Sequence, residues 1–107
     1  MIDLTKITGF DWDVGNARKN DRHGVSMAEA EQVFFNDPLL LLPDPRHSHV
    51  EPRFHALGKT IEGRTLHITF TLRRQGKLIR VISARDMHRK ERAIYAQASQ
   101  DDPTIRQ

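Results

Sequence analysis

Thr65, His67, Thr69 and Thr71 alternate with Leu66, Ile68, Phe70 and Leu72, so one strand would carry a hydroxyl and imidazole face opposite an apolar one. Just beyond it, residues 73–92 hold eight Lys and Arg against two acids, Asp86 and Glu91, a net +6 in a chain whose total is only +3. The rest of the chain is therefore net negative. A positive field confined in this way attracts polyanions more effectively than the same charge spread evenly. Arg80, Ser83 and Arg85 lie on the next strand segment, and His88 and Arg89 open the helix after it. Together they are the groups that RNA cleavage without a metal requires. The 2′-hydroxyl attacks its own phosphodiester, so a site needs a base, a donor to the leaving 5′-oxygen and cations around the phosphorane. His67 and His88, with ordinary pKa values of about 6.5, suit the proton transfers. Arg80, Arg85 and Arg89 supply planar donors matched to phosphate. Thr69, Arg73, Arg74, Ser83 and Arg89 read as RNA contacts on the same surface.

The same residues support blander readings. Thr at alternate positions is also ordinary strand preference, and His67 would serve equally as a half-exposed sheet residue. The charged run from His88 to Arg92 fits a solvated helix face with i,i+3 pairs. A non-catalytic nucleic-acid- or protein-binding module using the basic 73–92 surface is the main alternative, and an interaction protein whose polar sheet is an interface is a third. His47, His49 and Glu51 share a spacing of two that imitates a metal site, but Asp44, Pro45 and Pro52 around them indicate an irregular loop. No metal or other cofactor is expected.

These groups must be held by one small domain spanning residues 1–107, with a core over about 10–98 and a flexible tail over 99–107. With no cysteine, disulfides, thiolate chemistry and Cys-based zinc sites are excluded. No apolar run approaches a membrane span, and the N-terminus lacks the layout of a secretion signal, so a cytoplasmic protein is expected. Asp13 and Gly24 bracket a short helix over 14–22. Ser26 and Glu29 form a capping box for a second helix, whose buried face would be Met27, Ala30, Val33 and Phe34 and which Asn36-Asp37-Pro38 stops. Residues 39–42 read as a short strand and 46–52 as a polar loop. Strands follow over 53–59, 66–72 and 78–84, with turns at Glu62-Gly63 and Gln75-Gly76-Lys77, then a helix over about 87–98. Short connections favour an antiparallel meander. The expected fold is α+β, an antiparallel sheet of three to four strands with two N-terminal helices and one C-terminal helix. Trp12 reads as a packed anchor and His23 as structural. Tyr95 is either core or reaches the sheet surface with its hydroxyl.

Two separated motifs carry a family likeness. Phe10-Asp11-Trp12-Asp13, then Asn16, Ala17 and Asn20, then His23-Gly24-Val25-Ser26 with Glu29-Ala30, resemble the opening of BrnT-type toxins, and Asp37-Pro38 and Pro43-Asp44-Pro45 continue the likeness. The segment Arg80-Val81-Ile82-Ser83-Ala84-Arg85 with Arg89, Glu91, Arg92 and Tyr95 resembles the family's closing signature. The likeness runs over about residues 10–97. Asp11 stands where Glu is common and Arg22 where Lys is common, and both keep the charge. The resemblance implies a RelE-like fold, ribonuclease activity, and a toxin–antitoxin role opposite a small DNA-binding antitoxin of the BrnA type, with the toxin dimeric within the complex. In RelE-like enzymes Arg and Lys can replace histidine in catalysis. That ranks Arg80, Arg85 and Arg89 ahead of His67, His88 and Lys59 as the catalytic groups.

Overall fold

The protein is described by a computed structural model covering residues 2–15, 23–47 and 49–101. A short 3-10 turn, Leu4–Lys6, leads to β1, Gly9–Phe10. Helix α1, Met27–Phe35, is followed by β2, Leu40–Pro43, and a 3-10 turn over Pro45–His47. Strands β3, Phe54–Lys59, β4, Thr65–Arg73, and β5, Leu78–Asp86, lead into helix α2, Arg89–Asp101.

The meander expected from the short turns is present: β2 with β3, β3 with β4 and β4 with β5 are all antiparallel. The expected architecture nonetheless needs correcting. The sheet has five strands in the order β1-β5-β4-β3-β2 and is mixed, because β1 runs parallel to β5 at one edge. A two-residue strand has no periodicity to betray it. Long-range bonds hold it instead: the Thr8 N–H donates to the Lys77 carbonyl at 2.8 Å and the Asp11 N–H to the Ile79 carbonyl at 2.8 Å. Two N-terminal helices were expected, whereas α1, which follows β1, is the one α-helix described in full ahead of the β2–β5 meander. The helix expected over 14–22 falls mostly outside the described residues. At the other end, α2 continues to Asp101, into the stretch expected to fray.

Ser26 and Glu29 form both bonds of the capping box, which starts α1 where the sequence placed it. Ala30, Val33 and Phe34 press onto one sheet face formed by Leu41, Ala56, Leu66, Ile68, Phe70, Ile79, Val81 and Ala84. Met27, expected in that stripe, is 45% exposed at the first helical position, and burial begins one turn later. Gly58 is where α1 crosses β3 closely; a Cβ there would lie 2.7 Å from Val33 Cγ1, so only glycine fits without movement. Trp12 packs against this core, and its indole N–H donates to Glu31 of α1 at 2.8 Å, tying the N-terminal segment down as an anchor.

Helix α2 covers part of the opposite face. Tyr95 packs with Leu40, Leu57 and Met87, and its hydroxyl donates to the Pro38 carbonyl at 2.6 Å. Beyond α2 this second face stays open and polar over β4 and β5.

Candidate active site

Strict alternation along β5 would place Arg80 on one face and Ser83 and Arg85 on the other. A bulge prevents this. Thr69 pairs with Ser83 while Phe70 pairs with Val81, so Ile82 is the extra residue. The slip returns Ser83 and Arg85 to the face of Arg80 while Val81 and Ala84 both stay in the core. Arg80 then stands opposite Thr71, Ser83 opposite Thr69, and Arg85 opposite His67. On the other side β3 contributes His55, opposite Thr69.

The second face thereby forms an open cleft of about 360 Å³ lined by Asp44, His47, Arg53, His55, His67, Thr69, Ile82, Ser83, Arg85 and Glu91. A continuous chain of polar contacts crosses it. The turn after β2 presents Asp44, only 7% exposed, which meets His47 Nδ1 at 3.0 Å and His55 Nε2 at 2.8 Å. His55 Nδ1 faces His67 Nε2 at 3.0 Å, with the rings 4.6 Å apart and close to perpendicular. His67 Nε2 is 3.7 Å from Glu91 Oε2. Glu91, in the first turn of α2, accepts a forked pair of bonds from Arg85 at 2.7 and 2.9 Å and a third from the His88 backbone N–H at 2.8 Å.

The fields of these groups follow from their placement. The Arg85 fork holds the Glu91 carboxyl at about 2, against the opposing effect of burial, with the His88 N–H assisting. Burial, reinforced by the Arg85 charge, pushes His67 down to about 4. Burial would raise Asp44, but hydrogen bonds from His55 and His47 outweigh it and lower its pKa. At neutral pH the cleft therefore holds two carboxylates and a neutral, buried His67.

These shifts make an expected result for stability. As pH falls from 6.5 towards 4, the unfolded chain protonates His67 before the folded one does, costing about 3 kcal/mol by linkage. As pH falls further, from 4.5 through 2, the stabilisation that Glu91 draws from Arg85 is lost in turn. Urea midpoints measured across this range should fall steadily on acidification. In His67→Gln the slope between 6.5 and 4 should flatten while the lower limb persists; an unchanged slope would show that His67 is not held neutral by the fold.

The residues proposed from sequence divide by place. His67, Thr69, Ser83 and Arg85 come together in the cleft. Arg80 and Arg73 line a neighbouring cleft of about 410 Å³ that shares Arg53 and Ile82 with the first. There Arg80 is 2.7 Å from Asp13 and 3.5 Å from Asp11, and Arg73 is paired with Glu51. Two of the segment's eight basic residues, Arg73 and Arg80, are thus matched by acids from elsewhere in the chain, and Arg85 is matched by Glu91 within the segment. Arg74 is exposed in the β4–β5 turn, His88 and Arg89 are exposed at the start of α2, and Lys59 is exposed at the end of β3 outside both clefts. Asp44, His55, Arg53 and Glu91 are cleft residues that sequence reasoning did not single out. Among the described residues no three His, Asp or Glu side chains are grouped to hold a metal ion, and His47, His49 and Glu51 line a small pocket without forming such a group. No described helix is long and apolar enough to cross a membrane.

Residues 12–91 match a protein-family model described as "Ribonuclease toxin, BrnT, of type II toxin-antitoxin system". No curated protein matches the chain.

Proposed function

The chain belongs to the BrnT family of ribonuclease toxins of type II toxin–antitoxin systems, and from that premise we propose that it is a metal-independent endoribonuclease whose site is the cleft between His55, His67 and Arg85. The observation that carries this reading is the pairing of His67 with Arg85 on adjacent strands, which sets an imidazole beside a guanidinium on the floor of the cleft. A base removes the proton of the 2′-hydroxyl as the 2′-oxygen bonds to phosphorus. The bond from phosphorus to the 5′-oxygen breaks, and that oxygen takes a proton from an acid. His47, exposed at the rim and held by Asp44, is positioned as that acid. Arg85 and Arg53 face the phosphorane, whose added negative charge a preorganised cation stabilises more than the ground-state diester. Thr69 and Ser83 supply hydroxyls to the same phosphate. Arg73 and Arg80, in the adjoining cleft, support binding of the flanking phosphates.

Cleavage of RNA in the cytoplasm halts translation, and a cognate DNA-binding antitoxin holds the toxin inactive and represses the shared operon. The test is incubation of EDTA-treated protein with a defined RNA and with the same RNA carrying 2′-deoxy sugars. Fragments ending in a 2′,3′-cyclic phosphate, from the ribose substrate alone, are the expected product. Cleavage of the deoxy strand, or dependence on an added divalent ion, would overturn the mechanism.

A further inference from the structure

His55 and His67 are diagonal neighbours on β3 and β4, and their nitrogens meet directly at 3.0 Å. Only one hydrogen fits between two ring nitrogens at that distance. Asp44 is an acceptor, so the His55 nitrogen facing it, Nε2, carries a proton. Two arrangements then remain. In the first, both rings are neutral, His67 Nε2–H donates to His55 Nδ1, and His67 Nδ1 is bare. In the second, His55 carries both protons and a positive charge against Asp44, its Nδ1–H donates to His67 Nε2, and the proton of His67 sits on Nδ1. The two differ by one proton entering at His67 Nδ1 and one passing from His67 Nε2 to His55 Nδ1.

The entry point is also the atom that the fold leaves without a partner. His67 Nδ1 is buried and makes no hydrogen bond, although the His67 side chain is only 7% exposed. A buried ring nitrogen normally finds a partner; this one is covered in the free protein, in the wall of the cleft, and an unmet acceptor there is a place for a ligand's donor once substrate turns the ring outward. We propose that His67 and His55 act as one proton-accepting unit, in which His67 Nδ1 takes the proton of the RNA 2′-hydroxyl and the resulting charge settles on His55 beside Asp44. This rests on the ribonuclease reading above and identifies its general base.

The arrangement resolves a difficulty of the cleft. Alone, a buried His67 flanked by Arg85 is a poor base, because its own charged form is disfavoured. Relayed to His55, the charge leaves the Arg85 side and lies 2.8 Å from a carboxylate. The groups facing the pair are Asp44 from the turn after β2, His47 from the 3-10 turn, Arg53 ahead of β3, Arg85 from β5 and Glu91 from α2. Of these, Asp44 alone bonds His55 directly. Asp44 and His55 are therefore positioning residues for His67, which is the residue that touches substrate.

The test reads the proton without RNA. In ¹⁵N-labelled protein titrated downward in pH, protonation of the pair should convert His55 to the doubly protonated form. In the same step the His67 proton should move from Nε2 to Nδ1. In RNA cleavage, His55→Asn should lower the rate by about tenfold or more and displace the limb of the pH–rate profile that reports the base, in protein whose circular dichroism matches the parent. His67 retaining Nε2–H throughout the titration would overturn the relay, whatever the RNA result. A tautomer exchange accompanied by an unchanged rate and pH profile in His55→Asn would overturn its assignment as the base. Because the spectroscopic arm involves no RNA, failure of the relay and failure of the ribonuclease reading give different results.

Discussion

Arg85→Ala should reduce the rate of RNA cleavage by about a hundredfold to a thousandfold, the usual loss when one preorganised donor to a developing oxyanion is removed. Three hydrogen bonds, two to Glu91 and one to the Asp86 carbonyl, occupy three of the five N–H donors a guanidinium carries. The fork to Glu91 fixes the plane of the group while leaving donors for a phosphate oxygen. Arg85→Lys keeps the charge but not the plane, so it should recover only a small part of the loss. Glu91 complicates the simple variant, since removing Arg85 strands its carboxylate 3.7 Å from His67. That carboxylate then favours the imidazolium, so the acid limb of the pH–rate profile should move upward in Arg85→Ala. Combining the change with Glu91→Gln should remove the displaced limb without restoring the rate. If the double variant regains activity, Arg85 serves only to neutralise Glu91, and the phosphate must be stabilised elsewhere, with Arg53 the next cation in the cleft.

The open N–H groups of Arg85 also bear on how the basic segment should be understood. A net +6 over 73–92 suggests a bare cationic surface, yet Arg73, Arg80 and Arg85 each meet a carboxylate. Glu51, Asp11 and Asp13 come from distant parts of the chain, which is where its compensating negative charge resides. A binding module that relies on uniform positive potential is poorly served by such pairing. A site that needs a few guanidiniums held in fixed planes is well served by it, because the carboxylates hold the orientation before substrate arrives.

What the sequence made legible was local. The capping box of Ser26 and Glu29 depends on four consecutive residues, and the alternation from Thr65 to Leu72 repeats every two, so both are visible without knowing any contact. The N–H and C=O pairing of β1 with β5 is not local, and two residues cannot display a period. In β5 the signal was present but reads as noise: Arg80 is out of phase with Ser83 and Arg85, and Val81 and Ile82 are both apolar. The bulge at Ile82 reconciles them, and a break in phase within an otherwise regular strand is the mark by which it is recognised. Asp44 sits between two prolines in the sequence and reads as part of an irregular loop, and His55 as one residue within the strand over 53–59. Their chemistry arises only when the register of β3 against β4 brings His55 to His67, and that register depends on the turn at residues 60–64. The cleft was therefore half visible: its β4 and β5 residues announced themselves, and its Asp44, His55 and Glu91 side did not.

Phe70→Ala should cost about 3–5 kcal/mol, a large part of the 5–15 kcal/mol typical of a small domain. Phe70 is fully buried on the central strand, edge-on to Phe34 of α1 at 5.1 Å and 5.6 Å from Phe54 of β3. Its removal leaves a void between the helix and the sheet, bounded by backbone that Gly58 already brings close to Val33 and that cannot easily collapse. Phe70→Leu keeps most of the volume and should cost only about 1–2 kcal/mol. The consequence for function differs in kind from that of Arg85→Ala. Phe70 lies beside the bulge, next to Thr69, with its side chain in the core on the sheet face opposite the cleft, so it should contribute to cleavage by keeping the sheet in register. Activity of Phe70→Ala should follow the folded fraction, near parental at low temperature and collapsing on warming together with the circular dichroism signal. Activity of Arg85→Ala should be low at every temperature. If Phe70→Ala is inactive where it is fully folded, the bulge itself is being held in place by that ring. The phase of Ser83 and Arg85 would then depend on the aromatic core beneath them.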